Sequence, residues 1–388
     1  TPKPSSAASD VYKRQASNCC AVPTDLISLT KDLTMKSWKW LGMLALAAAA
    51  AANAQAQQPA ATQQPPQVIR FGAFGQGFGQ PYGLAILAIA HVKGFIEEEF
   101  KGTPVKLTFE YFTGTGPAIN EAIANGRLDF AQYGSLPNII GKAGGLPTRI
   151  IASYGYSTVF AVARKDLPAT SFKDLKGKKV AVAKGTVLHW ALLKALQENG
   201  LTLRDITLVD LKTGAQLAAL TAGSIDAAIG TSSLLTLRDQ GVAKVFYSSK
   251  ELGAKASGFG AITVTEAFEK QYPQATQKVA DALVKAAYWV SQESNREEAY
   301  RIWAKSGVPY EAIKDDFDGV PLKDVHNPRV DDFLVSQYRD AIEFTREQKL
   351  IRSDIDLQQW AAPSYVEQAL RSQNLQTYWA TRPAAAAH

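Results

Sequence analysis

Ala124-Asn125-Gly126-Arg127-Leu128-Asp129-Phe130-Ala131 and Thr221-Ala222-Gly223-Ser224-Ile225-Asp226-Ala227-Ala228 stand 97 residues apart, and together they decide the fold. Each follows an amphipathic run, from Ala118 and from Ala215, that predicts a short helix. Each helix reaches a glycine suited to a left-handed cap. An aspartate three residues later leads into an apolar segment of strand character. Two units of this kind predict two similar lobes. The plainer alternative is that helix–glycine–strand units look alike wherever they occur.

Outward from these units, strands and helices alternate. Val68-Ile69-Arg70-Phe71 reads as a strand entering the turn Gly75-Gln76-Gly77-Phe78-Gly79-Gln80-Pro81. Leu84, Leu87, Ala88, His91 and Val92 recur at helical spacing, and Val105 to Tyr111 alternates as a strand. Pro117 suits a first helical turn, and Leu128 to Gln132 is the next strand. Lys179 to Ala183, Thr186 to Asn199 and Ile206 to Leu211 repeat the order strand, helix, strand. This is an α/β chain, each lobe a mostly parallel sheet with flanking helices. Beyond Thr265 helical patterns dominate, in Gln274 to Lys305, Pro328 to Lys349 and Pro363 to Gln373, and are expected to wrap onto the first lobe. The expected division is residues 68–157 with 265–388 as lobe I and 158–264 as lobe II. The chain then crosses twice, near Ser157–Ala161 and near Gly258–Val264.

The N-terminal residues belong to neither lobe. Residues 1–34 read as an adapter-derived scar, from Ser5 to Gln15, followed by read-through to Met35. Residues 35–56 have the form of a secretion signal: Lys36 and Lys39 precede the apolar run Leu41 to Ala52, with small-x-small sites at Ala52-Asn53-Ala54 and Ala54-Gln55-Ala56. The run is too short to span a bilayer, which takes roughly 20 residues. Residues 57–67 are rich in Gln, Pro and Ala and read as a disordered lead-in. Of 42 Lys/Arg and 36 Asp/Glu in the 388-residue chain, six and three lie in residues 1–56, which leaves 36 against 33. A net +3 without basic blocks gives no footing for nucleic-acid binding. Cys19 and Cys20 are the only cysteines, so the remainder offers no thiol nucleophile, no structural disulfide and no cysteine for a lipid anchor. The expected product is exported, free in the periplasm, and binds no metal or cofactor.

The polar turns fall at the carboxyl ends of the predicted strands, where open α/β sheets take their ligands. They are Thr113–Pro117, Tyr133-Gly134-Ser135, Lys184-Gly185-Thr186 and Gly230-Thr231-Ser232. At least three open a helix, and a helix start presents unpaired N–H groups and partial positive charge to an anion. Ordinary capping by Ser or Thr is the alternative for any single turn. Their convergence makes Thr115, Gly116, Gly134, Ser135, Gly185, Thr186, Thr231 and Ser232 the candidate ligand contacts. His189, one turn into its helix, is a candidate donor, and Gln76, Phe78, Gln80 and Tyr154 are candidate walls. Gly75-x-Gly77-x-Gly79 lacks the dinucleotide spacing. The four histidines form no metal set, and no catalytic grouping is evident.

Phe172-Lys173-Asp174-Leu175-Lys176-Gly177-Lys178-Lys179-Val180, followed by Lys184-Gly185-Thr186-Val187-Leu188-His189-Trp190, resembles the periplasmic binding proteins for aliphatic sulfonates, taurine and nitrate. Gly116-Pro117, Gly126-x-x-Asp129, Gly134-x-x-Pro137 and Gly223-x-x-Asp226-Ala227 stand where that family has equivalents, and the resemblance spans Val68 to Lys349. It implies the two-lobed periplasmic-binding-protein fold, hinged at two crossings. It also implies a monomer that closes on a small anionic solute, such as an aliphatic sulfonate or a taurine-like compound, and delivers it to the ABC permease subunits of the inner membrane. Many sulfonate binders carry Trp-Asp-Pro-Tyr where this chain has Gly230-Thr231-Ser232-Ser233, which implies a smaller and more polar cleft wall here. Binding proteins for thiamine-pyrimidine precursors share the fold. The enzymatic alternative, a precursor synthase on the same scaffold, needs a cysteine- or histidine-rich site that residues 57–388 do not offer.

Overall fold

The computed structural model describes residues 64–76, 78–113, 115–255 and 257–384. The scar, the signal segment and most of the lead-in therefore lie outside the described residues, as do Gly77 and Gly114. Ten strands form two five-stranded sheets. The first contains β1 (Val68–Phe74), β2 (Lys106–Phe112), β3 (Phe130–Gly134), β4 (Thr148–Ser157) and β10 (Gly258–Thr265). The second contains β5 (Phe160–Arg164), β6 (Lys179–Val182), β7 (Thr207–Asp210), β8 (Ala227–Gly230) and β9 (Ala243–Ser248). Their orders are β2-β1-β3-β10-β4 and β7-β6-β8-β5-β9. The two orders match when β10 is set against β5, so each lobe holds one strand that arrives from the other.

The sheets are mixed rather than mostly parallel. β1 pairs in parallel with β2 and β3, and β6 with β7 and β8. β10 runs antiparallel to β3 and β4, and β5 antiparallel to β8 and β9. The arriving strand in each lobe causes this, since a chain entering from the far lobe runs the opposite way. The second crossing also moves. Gly258–Val264 is no connection but the body of β10, buried between β3 and β4. The chain thus returns to the first lobe between Ser248 and Gly258, and lobe II ends earlier than residue 264. The first connection between the sheets is Thr158 and Val159, between β4 and β5.

The 97-residue echo is a matched pair of turns. The helices Thr115–Ala124 and Thr213–Thr221 run into Gly126 (φ 66°) and Gly223 (φ 69°). Arg127 N–H donates to Ala122 O at 2.9 Å, and Ser224 N–H to Ala219 O at 3.0 Å, which closes both helix ends alike. The aspartates then tie the turns to β1 in the first lobe and to β6 in the second. Arg70 N–H donates to Asp129 Oδ2 at 2.8 Å, and Asp129 N–H to Arg70 O at 2.9 Å. Lys179 N–H donates to Asp226 Oδ2 at 2.8 Å, and Asp226 N–H to Lys179 O at 2.8 Å.

β3 and β8 are buried along their whole length because helices cover both faces, which explains their unbroken small and apolar sequence. Ile69, Phe71 and Phe130 of the first sheet pack with Ile86 and Ile89 and with Val279 and Leu283 of the helix Pro273–Val290. The helix Pro273–Val290 therefore packs against the first sheet. A helix that the sequence pattern did not single out, Tyr310–Phe317, reaches lobe II, where Arg238 pairs with Asp315. The second lobe is built on Val180, Val182, Leu192, Leu196 and Ile229. Among the described residues no helix is long and apolar enough to cross a membrane.

Candidate functional site

The carboxyl ends of β1, β3, β6 and β8 face one cavity of about 110 Å³. One water needs roughly 10–15 Å³ by the same kind of measure, so the space suits a small solute. Eight of the thirteen candidates line it: Gln76, Thr115, Gly116, Gly134, Tyr154, Thr186, Thr231 and Ser232. Both lobes contribute.

Helix starts at this cavity are left open by their own caps. Gly134 precedes the helix Ser135–Ala143, Thr186 the helix Val187–Glu198, and Lys212 the helix Thr213–Thr221. None of these caps accepts a hydrogen bond through a side chain from the turn it precedes. At Thr186 the alternative of plain capping fails on a specific contact: its hydroxyl donates backwards to Ala183 O at 2.7 Å. The first-turn N–H groups and the helix dipole are thus available to an anion. The helix Ala85–Val92 differs, because Leu87 N–H already donates to Gln132 Oε1 at 3.0 Å. Ala85 (φ 63°) and Thr115 (φ 60°), the first residues of two lobe I helices on the cavity wall, hold left-handed backbone that non-glycine residues rarely adopt. Such strain collects at ligand sites.

Two glycines set how closely the walls approach. A Cβ on Gly116 would lie 2.2 Å from Pro137 Cγ, and one on Gly134 would lie 2.9 Å from Val187 Cβ of the other lobe. Gly134 therefore marks a place where the lobes touch.

Five candidates are not in the lining. Gln80 is exposed and Phe78 packs on Gly307. Ser135 is fully buried with no partner for Oγ, and Gly185 faces Pro117. His189 turns back on its own helix start. Its Nδ1 accepts from Gly185 N–H at 3.4 Å, so in the neutral ring Nε2 carries the proton. Burial and then the nearby Lys184 hold its pKa below the usual histidine value.

The C-terminal third supplies lining residues that sequence reasoning missed: Trp303, Ile313, Asp316, Phe317 and His326. Asp316 is 5 % exposed. Burial pushes its carboxyl up to about 6, against hydrogen bonds from the Thr158 and Ser232 hydroxyls and the charge of Lys250. Oδ1 has no partner. The His326 ring is buried and held down to about 4, and its Nδ1 lies 3.4 Å from Tyr154 O. Nδ1 therefore carries the proton, and Nε2 is an acceptor without a partner. A signal existed at Asp316. It stands three and four residues after Ile313 and Ala312, on the apolar face of its helix. Among the described residues no group of three or more His, Cys, Asp or Glu could hold a metal ion.

A family model described as "NMT1/THI5 like" matches residues 84–296. A Bacillus subtilis protein named for binding aliphatic sulfonates is 28% identical over 301 residues, 75% of this chain and 87% of that one. The taurine-binding periplasmic protein of Escherichia coli is 26% identical over 207 residues, 50% of this chain and 62% of its own. Among solved structures, a Methylobacillus flagellatus protein named as the periplasmic sulfonate-binding protein of a sulfonate ABC transporter superposes with a TM-score of 0.72 at 29% identity. That match covers 82% of this chain and 98% of the other.

Proposed function

The chain belongs to the NMT1/THI5-like family, and from that premise we propose that it is the periplasmic solute-binding protein of an ABC importer, capturing a small organic anion between its lobes. The solute is of the aliphatic sulfonate or taurine class, as the names of its relatives suggest. One observation carries the reading: open helix starts from both lobes converge on a single cavity. N–H groups fixed at helix starts stabilise an anion without a buried cation, so the solute can be taken and released without breaking a salt bridge. Closure follows if the solute contacts both lobes at once, since it then favours the closed form by its differential affinity. The crossings at Thr158–Val159 and between Ser248 and Gly258 are the segments about which the lobes would turn. The closed complex would then be presented to the membrane permease.

The test is thermal unfolding of the purified protein with ethanesulfonate, propane-1-sulfonate, taurine, nitrate and sulfate. A solute at 100 times its Kd stabilises the fold by roughly 2.7 kcal/mol, well within detection. Stabilisation by at least one sulfonate is expected. No shift with any of the five would overturn the reading.

A further inference from the structure

We propose that the helix Tyr310–Phe317 is a strap across the hinge: held on lobe I, it grips lobe II and both crossings, and so keeps the lobes together whatever solute lies between them. The inference concerns how the lobes move and stands whether or not the solute is a sulfonate.

Two covalent crossings by themselves leave the angle between lobes free to change. Here the crossings are first tied to each other. Val159 N–H donates to Ser249 Oγ at 2.9 Å, Ser249 N–H donates to Val159 O at 3.0 Å, and the Ser249 and Ser257 hydroxyls lie 3.0 Å apart. Ser249 and Ser257 are buried. The strap then joins this unit to both lobes. Its lobe I side is fixed by Arg296, which donates from Nη1 to Phe317 O at 3.0 Å and from Nη2 to Val320 O at 2.9 Å. The Tyr310 hydroxyl donates to Glu297, and the Phe317 ring centroid lies 5.1 Å from that of Trp303.

Two consecutive residues make the grip on the other side. The Asp315 carboxylate pairs with Arg238 of lobe II, and its carbonyl accepts from Lys250 Nζ, at the start of the second crossing, at 2.6 Å. The Asp316 carboxyl accepts from the hydroxyls of Thr158, in the first crossing, and of Ser232, in lobe II. Thr158, Ser232 and Asp316 are all buried. Ala312 and Ile313 of the same helix share one buried cluster with Trp303 of lobe I and with Phe160 and Leu235 of lobe II. A helix that merely covered lobe I would turn its carboxylates to water. The grips differ in strength. The Arg238 and Asp315 side chains are 39 % and 46 % exposed, so their pair contributes a few-fold at most. The buried Asp316 hydrogen bonds lie out of water and carry more.

The experiment measures the distance between the lobes. Cys19 and Cys20 are the only cysteines, so in a chain with both changed to Ser, Asn125→Cys and Ala222→Cys place one spin label on an exposed turn of each lobe. Pulsed electron spin resonance is run without solute on this parent and on the parent with Thr158→Val, Arg238→Gln and Lys250→Gln together. None of these three residues lines the cavity. The parent should show one main distance. The triple variant should gain a longer one, with the ratio of long to short raised about tenfold. Arg238→Gln alone, an exposed change that spares the core, should raise it about two- to fivefold and keeps the test decisive if the triple variant does not fold. Unchanged or shorter distances would overturn the proposal. Calorimetry with propane-1-sulfonate and taurine gives a second readout. Both should weaken by one common factor of up to about tenfold, because the cost lies in closing the lobes rather than in touching the solute. Loss confined to one of the two would overturn the proposal, since it would make these residues part of the site. Binding of neither by the parent would overturn the sulfonate reading alone, as the distances still decide the strap.

Discussion

The two lobes carry one turn in two settings. In lobe I the aspartate after the capping glycine takes a backbone N–H and also the guanidinium of Arg70, at 2.9 Å from Nε and 2.8 Å from Nη2. In lobe II the matching Asp226 takes the backbone N–H of Lys179, and the nearest guanidinium, Arg164, stands off at 3.7 Å. The cavity edges differ more. Lobe I contributes aromatic rings, a buried carboxyl and two residues in left-handed backbone, whereas lobe II contributes Thr186, Thr213, Thr231 and Ser232. Strand order and turn chemistry are shared because they hold the sheets together. The edges are free to diverge because only the solute reads them.

Removing the aspartates should break this parity most. Asp129→Ala strips a backbone N–H and a two-pronged guanidinium of their acceptor and should cost about 3 kcal/mol, while Asp226→Ala should cost about 1 kcal/mol. Urea unfolding of both variants measures the gap. Equal costs would mean that the Arg70 pair contributes nothing.

The next effect is in the pH profile, on the order of 2 kcal/mol. The Asp316 pKa is raised to about 6, so the unliganded fold holds a proton that the unfolded chain has released. That stability is full below the ordinary carboxylate range and is lost as pH rises through about 6. The His326 pKa is lowered to about 4, so its contribution is full above the ordinary histidine value and is lost as pH falls toward 4. The two slopes oppose each other between about pH 4 and 6.5. Chemical denaturation across that window should give a shallow profile for the parent. Stability should rise with pH in Asp316→Asn and fall with pH in His326→Gln. Lobe II has no counterpart of this pair among the cavity residues.

The glycines that end β3 and β8 should separate binding from stability. A Cβ at Gly134 meets Val187 across the cleft, so Gly134→Ala should weaken solute binding about tenfold, or roughly 1.4 kcal/mol. At Gly230 it meets Leu234 of its own lobe, so Gly230→Ala should lower the melting temperature by a few degrees and leave affinity nearly intact. Calorimetry and melting of each decide it, and a reversed pattern would place the contact between the lobes elsewhere. The smallest effect belongs to Thr186→Ala. Its hydroxyl already serves Ala183 O, so less than threefold in affinity should be lost.

The repeat was readable because its devices are single residues: a glycine for positive φ, and an aspartate short enough to reach a neighbouring strand. β10 was misplaced because Gly258 and Gly260 suggest flexibility. At Gly260 the glycine is there for closeness, since a Cβ would lie 2.4 Å from Tyr133 O. The cavity's lobe II edge followed from small polar residues after strands. Asp316 did not, because charge on a helix normally faces water, and its burial comes from packing some 80 residues away in sequence, against Ser232. Phe78, Gln80 and His189 were drawn in by nearness in sequence, which does not fix the direction of a side chain.

The exchange of strands also orders the making of the protein in time. Lobe II's sheet, from Phe160 to Ser248, is one contiguous stretch and has all its strands once that stretch has emerged. Lobe I must wait: the slot between β3 and β4 stays open for about a hundred residues, until β10 arrives to fill it. An unfilled slot between two strands leaves their edges unpaired, which is the state most open to wrong partners. The lobe that starts first therefore finishes last, and a chaperone holding the chain would protect β3 and β4 above all.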